Sequence, residues 1–195
     1  MVTNKPKTIT PSQTVGPFYA YCLSPVNYKF RMLASNSLVT KDVEGKHITL
    51  RGTVLDGDGL PVPDALIEIW QPDGLGRFSG HHPLLKTAEF KGFGRAMCDA
   101  LGLFSFETVK PGGAPMRDGV IQAPHVAVSI FGKGLNRHLY TRVYFDDEEA
   151  HKSDPVLNSI PEDLRSKLIA KEIEPDCYEI SIRLQGEGES VFFDV

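Results

Sequence analysis

Long apolar runs and clusters of basic residues are both missing from this chain. Net charge is −4, from 21 Lys and Arg against 25 Asp and Glu, and the basic residues are scattered. No basic field therefore exists for a phosphate backbone, and no run approaches the roughly 20 apolar residues that span a bilayer. The opening residues MVTNKPKTIT lack the apolar core of a secretory signal. We expect a soluble cytoplasmic protein with no nucleic-acid or membrane partner.

Cysteine is scarce, and several common motifs are absent. The three cysteines, Cys22, Cys98 and Cys177, are an odd number without CxxC spacing, which argues against a disulfide framework and against a thiolate zinc site. The sequence contains no GxSxG elbow, no P-loop and no GxGxxG after a strand. The acidic run from Asp146 lacks the glycine and ligand spacing of an EF-hand and is typical of a solvated loop. Hydrolase, kinase and dinucleotide-binding functions have no support.

Glycine and proline are plentiful and divide the chain into short strand-like segments. The 18 Gly and 14 Pro separate runs in which apolar and polar residues alternate, as in half-buried strands. These runs predict an all-β sandwich built as one domain. We expect an irregular N-terminal arm over 1–45 that packs on a partner, and a sandwich core over 46–195. The seven predicted strands are HITLRGTVLD, ALIEIWQ, GLFSFETV, HVAVSIFG, HLYTRVYF, YEISIRLQG and SVFFDV.

One short helix is predicted near residues 160–172. Ser159 and Glu162 have the spacing of a capping box with Pro161 in the first turn, and Leu164 and Leu168 follow at helical spacing.

A histidine opens the strand APHVAVSIF. Alternation places His125, Ala127 and Ser129 on one face, opposite the apolar Val126, Val128 and Ile130. An H-x-H pair on a strand supplies two metal ligands, but the second position here is Ala127. No two of the six histidines have a spacing of two or four residues. Taken alone, His125 is more typical of a hydrogen-bonded structural histidine than of a ligand.

Several sequence blocks, in order, resemble the intradiol ring-cleavage dioxygenases. The resemblance implies a β-sandwich of that type with a ferric ion bound by two tyrosines and two histidines. At the matching positions this chain has Ala114, His125 and Ala127, and it has no tyrosine between Tyr28 and Tyr140. The blocks are TPSQTVGPFY, RGTVLDGDGLPVPDALIEIWQPDGLGRF, FGR, FSFETVKPGGAPMRDG, APHVAVSIFGKGLNRHLYTRVYFDDE and QGEGESVFFDV.

One member of the family is built from two kinds of subunit, an iron-free alpha subunit and a catalytic beta subunit. Because this chain departs from the ligand pattern, it resembles the alpha subunit. In that arrangement the chain binds no metal, Fe(III) is held by the beta subunit, and alpha-beta pairs assemble into a larger oligomer. The resemblance further implies that Thr14, Gly16 and Pro17 line the entrance for a small aromatic acid. It places Lys133 near the carboxylate of that acid, where its charge attracts an anion.

Simpler interpretations of these residues remain open. The Gly16-Pro17 pair is also an ordinary turn, and Lys133 between two glycines is also a hairpin residue. Trp70 and Phe78 are candidates for an aromatic substrate box, although burial of Trp70 in the core or against a partner is the commoner arrangement. On the next predicted strand, Tyr140, Arg142 and Tyr144 share a face, as at interfaces.

We therefore expect a non-catalytic subunit that supports the intradiol cleavage of a catechol acid by O2. The first alternative is an autonomous metalloenzyme in which His125 acts with His81, His82 or His138. The second is a β-sandwich binding module without any dioxygenase partner.

Overall fold

The computed structural model is dominated by one large β-sheet. It describes residues 25–31, 34–39, 43–80 and 90–194. Eight strands form the sheet in the order β3-β2-β7-β8-β9-β10-β1-β4, and β5 and β6 form a separate ribbon. The strands are β1 His47–Leu55, β2 Leu66–Trp70, β3 Phe93–Met97, β4 Leu103–Val109, β5 Ala114–Pro115, β6 Ile121–Gln122, β7 His125–Phe131, β8 Leu139–Phe145, β9 Ile169–Glu174 and β10 Cys177–Arg183.

Buried and more exposed side chains alternate along the strands, and the buried ones form the core. In β1, Ile48, Leu50 and Val54 are buried while their neighbours are half-buried or exposed. The sheet folds on itself, with β9 pairing with β8 in one half and with β10 in the other. The inward faces of the two halves pack against each other. Side chains that meet in this core include Leu50, Phe106, Tyr178 and Ile182 from one half and Ile67, Ile69, Val128 and Ile130 from the other.

The segment 35–38 bridges the two edge strands and leaves the sheet nearly closed. The Arg95 N–H in β3 donates to the Ser35 carbonyl at 3.0 Å. In β4, the Glu107 carbonyl accepts from the Leu38 N–H at 2.9 Å, and the Glu107 N–H donates to Asn36 at 3.0 Å. Because unpaired strand edges are exposed hydrogen-bonding sites, this segment covers part of both edges.

The short helix predicted near 160–172 is confirmed only in its first part, from Glu162 to Leu168, and the rest of the range is strand. Two helical turns, α1 Pro155–Ser159 and α2 Glu162–Arg165, are followed by a 3-10 turn at Ser166–Leu168, and β9 starts at Ile169. The predicted capping box does not form, since Pro161 is the N-cap of α2 and the Ser159 hydroxyl donates to the Val156 carbonyl. Pairing of the following residues with β8 and β10 outweighs their local helical pattern. Within the described residues, no helix is long and apolar enough to cross a membrane.

The C-terminal strand prediction is also wrong, whereas the other six predicted strands are confirmed. Residues 190–194 run without strand structure along β8, where the Phe193 N–H donates to the Tyr140 carbonyl at 2.8 Å. Val191 and Phe193 cover a second apolar cluster around Tyr144, Leu157 and Leu168. The strands β3 and β9 were missed because β3 is short and contains Gly94, and β9 is exposed over most of its length.

Candidate functional site

The opening histidine of β7 lies on the face of the sheet that points away from the core. Val126, Val128 and Ile130 are buried in the core, as the alternation predicts, and His125 lies on the other face. We call the surface that β3, β2, β7 and β8 present on this side the outer face. Strand pairing arranges it in two rows of neighbours, Phe93-Trp70-Ala127-Arg142 and Arg95-Glu68-Ser129-Tyr140, and His125 pairs with Tyr144.

His125 is a buried, neutral imidazole. It is 7% exposed, and its Nδ1 lies 2.8 Å from the Ala123 carbonyl oxygen. Because a carbonyl only accepts, Nδ1 carries the proton and Nε2 carries the lone pair. Burial, followed by the charge of Arg142, lowers the pKa of His125 to about 4. At neutral pH this side chain is therefore a hydrogen-bonded imidazole without charge, which is the structural role that the sequence favoured.

A buried carboxylate holds this end of the outer face together. Asp154 is fully buried and accepts from the Ala123 N–H at 2.8 Å, from the Leu157 N–H at 2.6 Å and from the Tyr144 hydroxyl at 3.2 Å. Burial raises the pKa of Tyr144 to about 12, so its hydroxyl stays protonated and can donate. Sequence reasoning missed Asp154 inside the acidic run. The pair Asp154-Pro155 could have indicated it, because Asp at the N-cap followed by Pro in the first turn is typical of a helix start.

The position matched to a ligand tyrosine, Ala114, lies in the β5-β6 ribbon opposite Gln122. Ala114 is buried, and its methyl group offers no donor atom. The Gln122 Oε1 accepts a hydrogen bond from Arg142 Nη1 at 2.8 Å, and the same nitrogen lies 3.4 Å from the Tyr144 hydroxyl. A guanidinium therefore reaches the corner where β6 and β7 meet.

These residues do not fit the ferric ion that the resemblance implies for the family. His125 offers one imidazole as a ligand. Ala114 and Ala127 offer only methyl groups, and the nearby Arg142 adds a positive charge that disfavours a cation. Iron(III) prefers anionic oxygen donors, and its affinity depends on ligand number and geometry. No group of three or more His, Cys, Asp or Glu side chains that could hold a metal occurs in the part of the chain that the structure describes.

Two other predicted residues lie at the opposite end of the outer face from His125. Lys133 is exposed in the turn after β7, and His138 stacks on Phe131 with a 5.4 Å ring separation. The length of β7 puts this end about 20 Å from His125. The structure therefore does not bring His138 or Lys133 to His125. Thr14, Gly16, Pro17, His81 and His82 lie outside the described residues.

Trp70 faces outward, so the first of its two expected arrangements, burial in the core, is wrong, while burial against a partner stays a prediction. It is 38% exposed, and its ring stacks on Phe78 with centroids 5.9 Å apart and planes 12° apart. The prediction that Tyr140, Arg142 and Tyr144 share a face is confirmed by their pairing with Ser129, Ala127 and His125.

Comparison with known proteins identifies the family. The family described as Dioxygenase matches residues 16–186. The protocatechuate 3,4-dioxygenase alpha chain of Burkholderia cepacia is 43% identical over 195 aligned residues, which cover 95% of this chain and 97% of that one. The chain belongs to the intradiol dioxygenase family. The resemblance drawn from the sequence blocks is confirmed, and with it membership in a family of iron-dependent enzymes.

Two further comparisons give a relative among beta chains and a structural neighbour with the same fold. The protocatechuate 3,4-dioxygenase beta chain of Burkholderia cepacia is 33% identical over 144 residues, which cover 71% of this chain and 61% of that one. The dioxygenase domain of a dioxygenase carbohydrate-binding protein fusion from Streptomyces sp. SirexAA-E has a TM-score of 0.61 at 23% identity, covering 92% of this chain and 99% of that one. This likeness confirms the predicted all-β fold of the intradiol dioxygenase type.

Proposed function

We propose that this chain is the iron-free alpha subunit of a protocatechuate 3,4-dioxygenase. It supports the cleavage of protocatechuate by O2 to 3-carboxy-cis,cis-muconate between the two hydroxyl-bearing carbons, with both oxygen atoms retained in the product. The observation that carries the proposal is the 43% identity to an alpha chain along almost the whole length of both proteins. The methyl groups at Ala114 and Ala127, where the family has ligands, support the iron-free assignment.

A beta subunit is the partner in this proposal, and it holds the Fe(III). Alpha and beta chains of one enzyme are both relatives of this sequence, which supports an alpha-beta complex. The alpha-beta pairs would form a larger oligomer in the cytoplasm, acting in the catabolism of small aromatic acids. In the 1–45 arm, the residues that precede the bridging segment 35–38 pack on the partner, and the 46–195 core is the sandwich. Thr14, Gly16 and Pro17 of the arm line the substrate entrance of the beta subunit.

Lys133 has a supporting role in the same proposal. It is exposed, and its charge would raise the local concentration of an anionic substrate without fixing its orientation. We expect Lys133→Gln to raise KM several-fold at low ionic strength, with little effect at high salt because exposed charges are screened. Lys152→Gln, which removes an exposed lysine elsewhere on the surface, is the matched control and should leave KM unchanged.

The decisive experiment compares the chain expressed alone with the chain co-purified with its beta subunit. Iron should appear in the complex only, together with visible tyrosinate-to-iron colour and oxygen uptake on protocatechuate. Deletion of residues 14–17 should then impair turnover in a complex whose assembly is verified by size. Unchanged turnover in that complex would contradict the assigned role of the arm.

Two other results would replace the proposal by its alternatives. Stoichiometric iron on the lone chain would favour a metalloenzyme that uses His125. The structure gives that alternative little support, because His138 lies at the far end of β7 from His125. Absence of dioxygenase activity from every complex that the chain forms would favour a non-catalytic binding module.

A further inference from the structure

A small pocket lies where residues 192–194 run beside the start of β8. Its volume is about 260 Å³, and residues 137–140 form its other side. Two hydrogen bonds hold the two sides together: the Phe193 N–H donates to the Tyr140 carbonyl at 2.8 Å, and the Thr141 hydroxyl donates to the Val191 carbonyl at 2.6 Å. Because pockets for drug-sized ligands have volumes of about 300–1,000 Å³, this one fits a smaller molecule.

The walls of the pocket are mainly aromatic, and packing fixes them in place. The rings of Tyr140 and Phe193 meet edge to face, with centroids 6.2 Å apart. Phe192 packs against the main core, and Phe193 packs against the second apolar cluster. Since these rings are already held by their neighbours, an aromatic group can pack against them without the cost of ordering the wall.

One positive and one negative side chain also line this pocket. Arg137 Nη2 lies 3.8 Å from Asp194 Oδ1, which is too long for a hydrogen bond, and the two side chains are 71% and 99% exposed. Neither side chain has another polar partner among the residues that the structure describes. Because an exposed ion pair contributes little to stability, a ligand can replace this contact at little cost.

The two charges restrict the class of small molecule that fits. A ligand with only a carboxylate would be attracted by Arg137 and repelled by Asp194, and the reverse holds for a ligand with only an ammonium group. A neutral ligand would leave both charges unused. A free α-amino acid carries an ammonium group and a carboxylate on one carbon atom, so each can face the side chain of opposite charge.

We propose that this pocket binds the zwitterion of an aromatic α-amino acid, with its carboxylate on Arg137, its ammonium group on Asp194 and its ring against the aromatic wall. On the neighbouring strand, Tyr140 pairs with Ser129, four residues along β7 from His125. At about 3.4 Å per residue, the pocket therefore begins about 13 Å from the position matched to an iron ligand. Binding there requires neither iron nor a catechol, so the proposal goes beyond the function proposed above and holds or fails independently of it.

Four probes separate the charges from the ring. L-Phenylalanine has both charges, N-acetylphenylalanine has only the carboxylate, phenylalaninamide has only the ammonium group, and glycine has both charges without the ring. Each is titrated by calorimetry into the purified full chain and into its complex with the beta subunit. Amide NMR shifts of residues 137–140 and 192–194 locate the site in the full chain.

We expect phenylalanine to bind with a Kd of about 2 mM or tighter and the other three probes to bind at least about tenfold more weakly. No saturation by about 20 mM phenylalanine in either preparation would overturn the proposal. Equal binding of phenylalanine and N-acetylphenylalanine by the full chain would also overturn it, because the carboxylate alone would then account for the affinity.

Two charge variants test each contact through a change of preference. Arg137→Gln leaves the carboxylate of Asp194, so phenylalaninamide should then bind more tightly than phenylalanine. Asp194→Asn leaves the guanidinium, so N-acetylphenylalanine should then bind more tightly than phenylalanine. Arg51→Gln is the matched control, because it removes an exposed, ion-paired arginine from the other half of the sheet, and it should bind as the natural chain does. Thermal unfolding verifies each fold, and an unchanged preference for phenylalanine in either folded site variant would overturn the proposal.

Discussion

Replacing Asp154 by alanine should destabilise the protein far more than the loss of an exposed carboxylate does. The side chain is fully buried and accepts from two backbone N–H groups and from the Tyr144 hydroxyl. It is also the N-cap of α1 through the bond from Leu157. Alanine would leave the Ala123 N–H and the Tyr144 hydroxyl buried without this acceptor, and the helix without its cap.

The magnitude follows from these three losses. A buried donor left without an acceptor costs about 1–3 kcal/mol, and a lost N-cap costs about 1 kcal/mol. The sum for Asp154→Ala is about 3–5 kcal/mol of unfolding free energy, allowing for partial relaxation. Asp154→Asn should cost less, about 1–3 kcal/mol, because its amide oxygen can still cap α1 while its NH2 meets another donor.

Urea unfolding followed by circular dichroism measures these differences. Asp163→Ala is the matched control, because Asp163 is an exposed carboxylate in the first turn of α2, and its loss should change stability by less than about 0.5 kcal/mol. A cost below about 1 kcal/mol for Asp154→Ala would refute the reasoning, since it would mean that the buried donors find other acceptors. An equal cost for the alanine and asparagine variants would show that the cap contributes nothing.

Three further predictions concern ionisation. The imidazole of His125 should titrate in NMR experiments near its lowered pKa of about 4, and a midpoint near 6.5 would contradict its burial. Protein stability should rise with pH between about 4 and 6.5, because in that range the unfolded chain binds a proton that the folded chain does not. Burial raises the pKa of Asp147, but the hydrogen bonds from Lys110 and Tyr178, the charge of Lys110 and a backbone hydrogen bond together lower it below its ordinary value. Stability should therefore fall below about pH 4 as that carboxyl takes up a proton, and Lys110→Met should weaken this dependence in urea midpoints measured at acid and neutral pH. Burial, with nearby carboxylates, raises the pKa of Cys98 to about 12, so the thiol should resist Ellman's reagent in the folded protein at pH 8 and react on unfolding; labelling of native Cys98 would show that it is accessible.

Much of the sheet could be predicted because its signals are local. Alternation in β1, β7 and β10 and the turns between strands depend on neighbouring residues, and each of these strands lies where the pattern placed it. The face of His125 could be predicted for the same reason, since a two-residue period fixes which side chains share a side.

The parts that could not be predicted depend on contacts between distant segments. The sequence of residues 35–38 does not indicate that they bridge β3 and β4. Their hydrogen-bond partners in those strands lie about 60 to 70 residues away along the chain. Likewise, the run after Leu168 resembles a helix until β8 and β10 are both present to pair with it. The hydrogen bond from the Tyr144 hydroxyl to Asp154 could not be predicted either, because it depends on the packing of α1 against the outer face.

Charge gives a physical reason why the alanines and Arg142 occur together. The ferric site that the resemblance implies for the family joins a triply charged ion to two tyrosinates, which leaves one net positive charge beside neutral imidazoles. This chain has alanines at two of those positions, and the Arg142 guanidinium is hydrogen-bonded to Gln122 near the neutral imidazole of His125. The guanidinium donates to Gln122 and the Tyr144 hydroxyl donates to the Asp154 carboxylate, so these polar groups have hydrogen-bond partners within the chain. A guanidinium differs from a metal in what it binds, because it takes a carboxylate by hydrogen bonds and cannot activate a catechol. Among the described residues, this corner therefore has a guanidinium but no set of ligands that could bind a metal and activate a catechol.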